Sequence, residues 1–302
     1  MASVAASLRA AGTEPVVFDL EYLRHSGFTL DERRLTLAGE MALADHELAA
    51  SGRGWLRRLA PPGWSIGPGP ESHDGVLRAS WYALLFGWLH TVPLDWLTAP
   101  AALALAENKA VALRVAHRIG VAVPRSISTS SLTAVRALFG DHVLIKPLGP
   151  ARFVDADGYE RAVSPTVVRT DELTEDEVAA GPFLFQEYIP ARRHLRVVTV
   201  GDQAWVAVLE AAGRPLDWRR DDSAFDAFHP GGDAVCAQAA RGALRVARSL
   251  GVGFSSQDWL DTGGRLVFLD LNPAGQWLFL PAAVAEAATA ALAAWLTRPS
   301  GR

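Results

Sequence analysis

The run Val267-Phe268-Leu269-Asp270-Leu271-Asn272-Pro273-Ala274-Gly275-Gln276-Trp277 constrains this chain more than any other stretch. It opens as a strand, rich in β-compatible apolar residues and free of Gly and Pro until Pro273. Strand alternation predicts Phe268, Asp270 and Asn272 on one face and Val267, Leu269 and Leu271 on the other. An acid and an amide two residues apart on one face present two oxygen-bearing heads, a donor set suited to a hard cation such as Mg2+. Upstream, Gly253 to Leu260 reads as a strand, Asp261-Thr262-Gly263-Gly264 as a tight turn and Arg265 to Leu271 as the returning strand. A register pairing Asp258 with Phe268 sets the Asp258 carboxylate diagonally across from Asp270, within bridging distance of two metal ions. The competing reading is a hairpin with a solvated acidic face, because exposed acids are the rule.

Composition closes several classes. The chain has 302 residues, 50% hydrophobic and 21% charged, enough for two or three lobes around a large buried core. A net charge of −4 argues against a nucleic-acid-binding surface. The single cysteine, Cys236, excludes an internal disulfide and any cysteine-only metal cluster, as expected of a cytoplasmic protein. Met1 to Ala11 lacks the pattern of a signal peptide. The apolar run Trp81 to Leu89 is too short to span a bilayer, and Pro281 to Leu296 carries Glu286, so no membrane partner is expected.

Three lobes are expected, over residues 1–98, 99–182 and 183–302. In the first, Pro15 to Leu20 reads as a strand, Asp31 to Leu48 as helical and the Pro/Gly-rich Arg53 to Gly75 as a loop or lid. Trp81, Leu84, Leu85, Trp88 and Leu89 recur at helical spacing, a core-facing stripe that competes with a peptide-receiving groove. Pro100 to Gly120 is a predicted helix with Gly120 as its C-cap, carrying Asn108-Lys109. Val143 to Pro147 is a strand ending in Lys146, and Phe183 to Pro190 a strand stopped by proline. Leu195 to Val200 and Gln203 to Glu210 form the clearest hairpin. Asp217-Trp218-Arg219-Arg220 follows, then an amphipathic helix over Ala234 to Leu250 and a final Ala-rich helix over Pro281 to Leu296.

An acid on one strand followed by acid-x-Asn-Pro on the next resembles the metal-binding hairpin of the ATP-grasp ligases. Within that group, Asp217-Trp218-Arg219 and Asn272-Pro-Ala-Gly-Gln-Trp277 resemble the maturases that cyclise microviridins and other graspetides. The resemblance covers about residues 95 to 300 and departs at two places: Asp270 stands where the family usually has Glu, and His194 where relatives often carry an acid. It implies an α/β ATP-grasp fold with an N-terminal pre-ATP-grasp lobe, a central lobe and a C-terminal metal-binding lobe. By the same resemblance, Lys109 and Lys146 hold ATP phosphates, and Gln186, Glu187, Tyr188 and Ile189 belong to the adenine hinge. His194 lies at the ribose, and Asp258, Asp270 and Asn272 bind Mg2+. Arg196, Arg219 and Arg220 serve the acid substrate or the transferring phosphoryl group, and residues 149–159 fall where the family has a phosphate-covering loop. The implied reaction activates Asp or Glu side chains of a leader-bearing precursor peptide as acyl phosphates and closes lactones or lactams. A homodimer is one admissible assembly. Two other functions stay open: a ligase adding free amino acids to a protein or small molecule, and a non-catalytic nucleotide- or peptide-binding module.

Overall fold

Strands rich in Val, Leu, Ile and Phe build two antiparallel sheets in the part of the chain that carries the sequence motifs. The computed structural model describes residues 2–17, 27–30, 35–37, 46–47, 52–58, 72–91, 94–148, 152–154 and 159–299. The chain divides into two compact units: Met1–Trp64, Pro68–Pro100 and Thr289–Arg302 in one, Ser65–Gly67 and Ala101–Ala288 in the other.

The first unit contains helix α1 (Ala2–Ala10), an antiparallel sheet of three short strands, β1 (Phe28–Leu30), β2 (Leu35–Leu37) and β3 (His46–Glu47), and a parallel pair, β4 (Arg53–Gly54) with β5 (Asp95–Trp96). Between β4 and β5 runs α2 (His73–Thr91). Helix is therefore the wrong expectation for residues 31–48 at β2 and β3, where Leu35–Leu37 pairs with β1 on one side and with His46–Glu47 on the other. Arg53–Gly54 is likewise strand rather than loop, and Gly54 is required there, since a Cβ would lie 2.6 Å from the Trp96 ring. Pro15 to Val17 form no regular strand, and the rest of that expected strand, Phe18 to Leu20, lies outside the described residues. The stripe on α2 does face inward, with Leu85, Trp88 and Leu89 buried.

In the second unit the predicted helix over residues 100–120 is two helices, α3 (Pro100–Ala106) and α4 (Lys109–Arg118). Asn108 breaks them: its extended backbone ends the first, and its Oδ1 accepts the Val111 N–H at 3.1 Å as the N-cap of the second. Gly120, at φ +75°, closes α4 with the Gly120 N–H to His117 and the Val121 N–H to Ala116. Next come β6 (Ser126–Thr129), α5 (Leu132–Leu138), β7 (His142–Lys146), β8 (Arg152–Val154), β9 (Glu160–Ala162), β10 (Thr166–Arg169), α6 (Glu175–Ala179) and β11 (Phe183–Gln186). The sheet order is β10-β7-β11-β6, and α5 and α6 pack Leu132, Val135 and Val178 against Val143 and Phe185 on one face.

The second sheet has the order β14-β13-β12-β15-β16, from β12 (Arg193–Val200), β13 (Gln203–Glu210), β14 (His229–Pro230), β15 (Phe254–Asp261) and β16 (Leu266–Asn272). Between β13 and β14 lies the four-residue α7 (Ser223–Asp226). Helix α8 (Ala234–Ser249) covers one face, capped by Asp233, whose Oδ1 accepts the Cys236 N–H at 2.8 Å. Its buried residues Cys236, Ala239, Ala243 and Val246 keep helical spacing and are small, so the helix lies close to the sheet. Gly242 sets the closest point, since a Cβ there would sit 2.7 Å from the Trp259 ring. The last helix, α9 (Ala282–Thr297), follows. Among the described residues no helix is long and apolar enough to cross a membrane.

Candidate active site

On the face of β12, β15 and β16 opposite α8, one row of side chains crosses three strands: Arg196 pairs with Asp258, and Asp258 pairs directly with Asp270. The expected diagonal offset between the two acids is corrected to a direct one by a β-bulge. Asp258 opposes Asp270 while Trp259 opposes Phe268, leaving Leu269 as the extra residue. The bulge also overturns the expectation that Phe268 shares a face with Asp270. Phe268 is fully buried in the α4–α8 core, its ring 5.4 Å from that of Trp259.

Two guanidinium groups hold the Asp258 carboxylate, Arg196 Nη1 at 2.6 Å and Arg219 Nη2 at 2.8 Å. Burial pushes this carboxyl up, but the two arginines outweigh it and hold it well below the usual carboxylate range. Asp270 accepts the Leu271 N–H at 3.0 Å. Burial pushes its carboxyl above the ordinary value; Lys109 and Lys146 pull against that and Asp258 adds to it. Arg196 is itself nearly buried, and its Nε has no hydrogen-bond partner among the described residues.

This row opens on a cavity of about 440 Å³, a volume ordinary for a small-molecule site. Lys109, Lys146, Gln186, Glu187, Tyr188, Ile189, His194, Arg196, Arg219, Asp258 and Asp270 all line it, although they are spread over the 162 positions from Lys109 to Asp270. Arg220 and Asn272 are not among its lining residues. Sequence reading missed the apolar wall of Leu144, Leu260 and Leu269 and the cation Arg214. Alternation could have found Leu144 from Lys146 and Leu260 from Asp258, whereas Arg214 sits in an irregular segment with no pattern to mark it.

Lys109 is the first residue of α4, where the cap at Asn108 places it. Lys146 ends β7 and donates to Gln186 Oε1 at 2.7 Å. Burial pushes the Lys146 ammonium below its ordinary value, while Asp270 and Asp258 push it back. Beyond β11 the chain is pinned to the segment before β6: the Glu187 N–H donates to Arg125 O at 2.8 Å and the Arg125 N–H donates to Glu187 Oε2 at 3.1 Å. Most of the expected phosphate-covering loop, residues 149–151 and 155–158, lies outside the described residues; β8, within it, pairs with β9, just after it. His194 also faces the cavity, and burial keeps its imidazole below its ordinary value of 6.5, hence neutral at pH 7.

Asp217-Trp218-Arg219-Arg220 forms a capped 3-10 turn, with Asp217 Oδ1 accepting the Arg219 N–H at 3.3 Å. Trp218 anchors it in an aromatic cluster with Phe225, Phe228 and Phe279, and the Arg219 guanidinium lies 4.7 Å from the Trp218 ring centroid. Arg219 thereby reaches both Asp217, at 3.2 Å, and Asp258. After β16, Asn272 Oδ1 accepts the Ala274 N–H at 2.9 Å, making a turn. Gly275 then packs against β15, where a Cβ would meet Ser256 Cβ at 2.4 Å. Trp277 plugs the core beside Phe254, ring centroids 5.1 Å apart.

Among the described residues no three His, Cys, Asp or Glu side chains gather as a metal-holding group. The oxygen donors here are instead two opposed carboxylates and an amide. That set fits a divalent cation: two acids face each other where a bound cation would relieve their repulsion, and Asn272 Oδ1 keeps a second lone pair.

No family model matches the chain, and no curated protein matches it in sequence. Solved structures do. The macrocyclase MdnC of Microcystis aeruginosa, bound with precursor peptide MdnA, superposes with a TM-score of 0.80 at 19% identity, over 98% of this chain and 94% of that one. A RiPP-associated ATP-grasp ligase of Chryseobacterium gregarium, in complex with ADP and a leader and core peptide, gives 0.81 at 20% identity, over 98% and 92%. The ATP-grasp ligase PsnB, complexed with a phosphomimetic precursor variant, Mg and ADP, gives 0.71 at 20% identity, over 98% and 94%. The fold of this chain is therefore the ATP-grasp fold.

Proposed function

We propose that the chain is an ADP-forming ligase that activates Asp or Glu side chains of a ribosomal precursor peptide and joins them to Ser or Thr hydroxyls or Lys amines, closing macrocycles. The observation that carries this reading is the convergence of Lys109, Lys146, Arg196, Arg219, Asp258 and Asp270 on one cavity of nucleotide size. Its relatives in fold, bound to precursor peptides and ADP, support the same reading. In this reading residues 1–98, 99–182 and 183–302 are the N-terminal, central and C-terminal lobes, and the enzyme works in the cytoplasm.

The residues divide the work by chemistry. Lys109 and Lys146, compact cations, hold nucleotide phosphates. Leu144, Leu260 and Leu269 offer the base an apolar wall beside the Tyr188–Ile189 hinge, with Glu187 at its edge and neutral His194 toward the sugar. Magnesium, when bound, supplies charge neutralisation among the phosphate oxygens, and Asp258, Asp270 and Asn272 would hold it. Arg219 presents a planar fork to the substrate carboxylate, and Arg196 keeps Asp258 ionised and in place. The γ-phosphoryl group passes to the carboxylate as ADP leaves, and attack by hydroxyl or amine then expels phosphate. The peptide loses one water per bond, and the protein contributes positioning and charge complementarity.

The test is to incubate the enzyme with a peptide encoded beside its gene, ATP and Mg2+. Peptide mass should fall by whole waters with ADP and phosphate as co-products, and methanolysis should reopen lactones but spare lactams. A mass that rises by amino-acid residues when free amino acids are supplied would establish the amino-acid ligase instead. AMP and pyrophosphate would rule out the acyl phosphate.

A further inference from the structure

Gln186, the last residue of β11, is fully buried, and both ends of its amide are engaged. Its Oε1 accepts from Lys146 Nζ at 2.7 Å, and its Nε2 donates to Ser126 Oγ at 3.0 Å. Ser126 Oγ in turn donates to Pro124 O at 2.9 Å. This order fixes the amide. A serine hydroxyl whose hydrogen is spent on a carbonyl offers only lone pairs, so the NH2 end must face Ser126 and the carbonyl end Lys146. The reverse orientation would set an NH2 against an ammonium.

The strand register builds this relay. Gln186 pairs with Leu144 on β7 and with Ser126 on β6, while Lys146 pairs with Leu184. Lys146 is therefore the diagonal neighbour of Gln186, at a span that two long side chains close. An ammonium has three donors, so one is committed to Gln186 and two remain for other acceptors. The partner is also neutral. A carboxylate at this position would hold Lys146 equally well but would cancel its charge in front of the cavity, whereas an amide fixes the head and leaves the charge intact.

We propose that Gln186 is a positioning residue that acts through Lys146, aiming its ammonium at nucleotide phosphates without neutralising it, and that it touches no nucleotide atom itself. The inference rests on reading the cavity as a nucleotide site.

A double-mutant cycle on ADP affinity tests it, by titration calorimetry in Mg2+ with the full-length protein. Gln186→Leu should weaken ADP binding about tenfold in the wild-type background, the scale of one charge-assisted contact. The near-isosteric Gln186→Glu should also weaken it, which loss of packing does not predict. In the Lys146→Met background neither substitution should change the dissociation constant further. Ser126→Ala gives a second arm that leaves Lys146 in place: it should weaken ADP binding a few-fold in the wild type and not at all in Gln186→Leu. Equal losses in both Lys146 backgrounds would overturn the proposal, as would unchanged affinity in Gln186→Leu. Wild-type protein that binds no ADP would overturn the nucleotide reading itself and this inference with it, a result distinct from an additive cycle.

Discussion

Asp258 and Asp270 face each other across β15 and β16 in one directly opposed pair, a placement in which like charges repel. Asp258 is held by Arg196 and Arg219, while burial drives the Asp270 carboxyl upward. In the ligand-free protein the opposed pair of acids costs stability wherever both are charged. Asp270→Asn should therefore leave the ligand-free protein as stable as the wild type or more so, by up to about 1 kcal/mol. The same variant should lose ATP turnover by roughly 100-fold or more. Urea unfolding and an ADP-release assay on one preparation check both halves; wild-type turnover in a folded Asp270→Asn variant would remove Asp270 from the site. Asp270→Glu keeps the carboxylate and should keep activity.

Arg219 spans Asp217 and Asp258 while lying over Trp218, a geometry that needs a planar fork. Arg219→Lys should lower kcat by about 10- to 100-fold. Because the side chain is 46% exposed, the unfolding free energy should change by less than about 1 kcal/mol. Trp218→Ala differs, since it empties an aromatic cluster and should destabilise by roughly 3–5 kcal/mol. Parallel kinetics and chemical denaturation separate the two; a large stability loss in Arg219→Lys would make that residue structural.

Gly275 leaves no room for a methyl group against Ser256. Gly275→Ala should cost about 1–3 kcal/mol through overpacking beneath the Arg196–Asp258 pair. Adding Ser256→Gly should recover part of that loss, and the denaturation midpoints of the single and double variants measure the coupling. A Gly275→Ala protein as stable as wild type would show that the strand end shifts freely.

Asp233 accepts the Cys236 N–H at the start of α8 and pairs with Arg193 at 2.7 Å, and these contacts hold its carboxyl well below its ordinary value of 3.8. The unfolded chain therefore binds the proton more readily, so this contribution is present above pH 3.8 and fades as pH falls below it. Acid unfolding followed by circular dichroism should show a shallower loss of stability over that window in Asp233→Asn than in wild type. At the other end of the scale, burial and Asp233 push the Cys236 thiol up to about 11, so native protein at pH 8 should resist alkylation until it unfolds.

The β12–β13 hairpin, β7 and β11 were legible as runs of β-forming residues bounded by Gly or Pro, and α8 because its buried residues keep helical spacing. The break between α3 and α4 was less so. The run over residues 100–118 stays helix-compatible throughout, and only the capping habit of Asn108 marks the interruption that puts Lys109 at a helix start. Short strands such as Leu35–Leu37 and His46–Glu47 carry too few residues to display a period. The bulge at Leu269 has no glycine to announce it, so strict alternation sent Phe268 to the wrong face. The Gln186–Lys146 contact depends on which strands become neighbours, and Leu260 and Arg214 on which segments meet at one cavity. Those are properties of topology rather than of local pattern.

The extra residue at Leu269 also makes β16 a strand in two phases. Upstream of it, Phe268 keeps step with Trp259 and the helical core; downstream, Asp270 keeps step with Asp258 and the charged row. A chain-length change elsewhere in the strand would throw one half out of phase with its layer, whereas deleting Leu269 alone would restore regular pairing, with Phe268 and Asp270 adjacent in sequence and on opposite faces. Keeping Leu269 without the bulge is what would force a choice: either Phe268 turns out of the core or Asp270 turns into it. The bulge thus absorbs one residue, whose side chain lines the cavity, while the core face and the charged face stay where a regular ladder would put them.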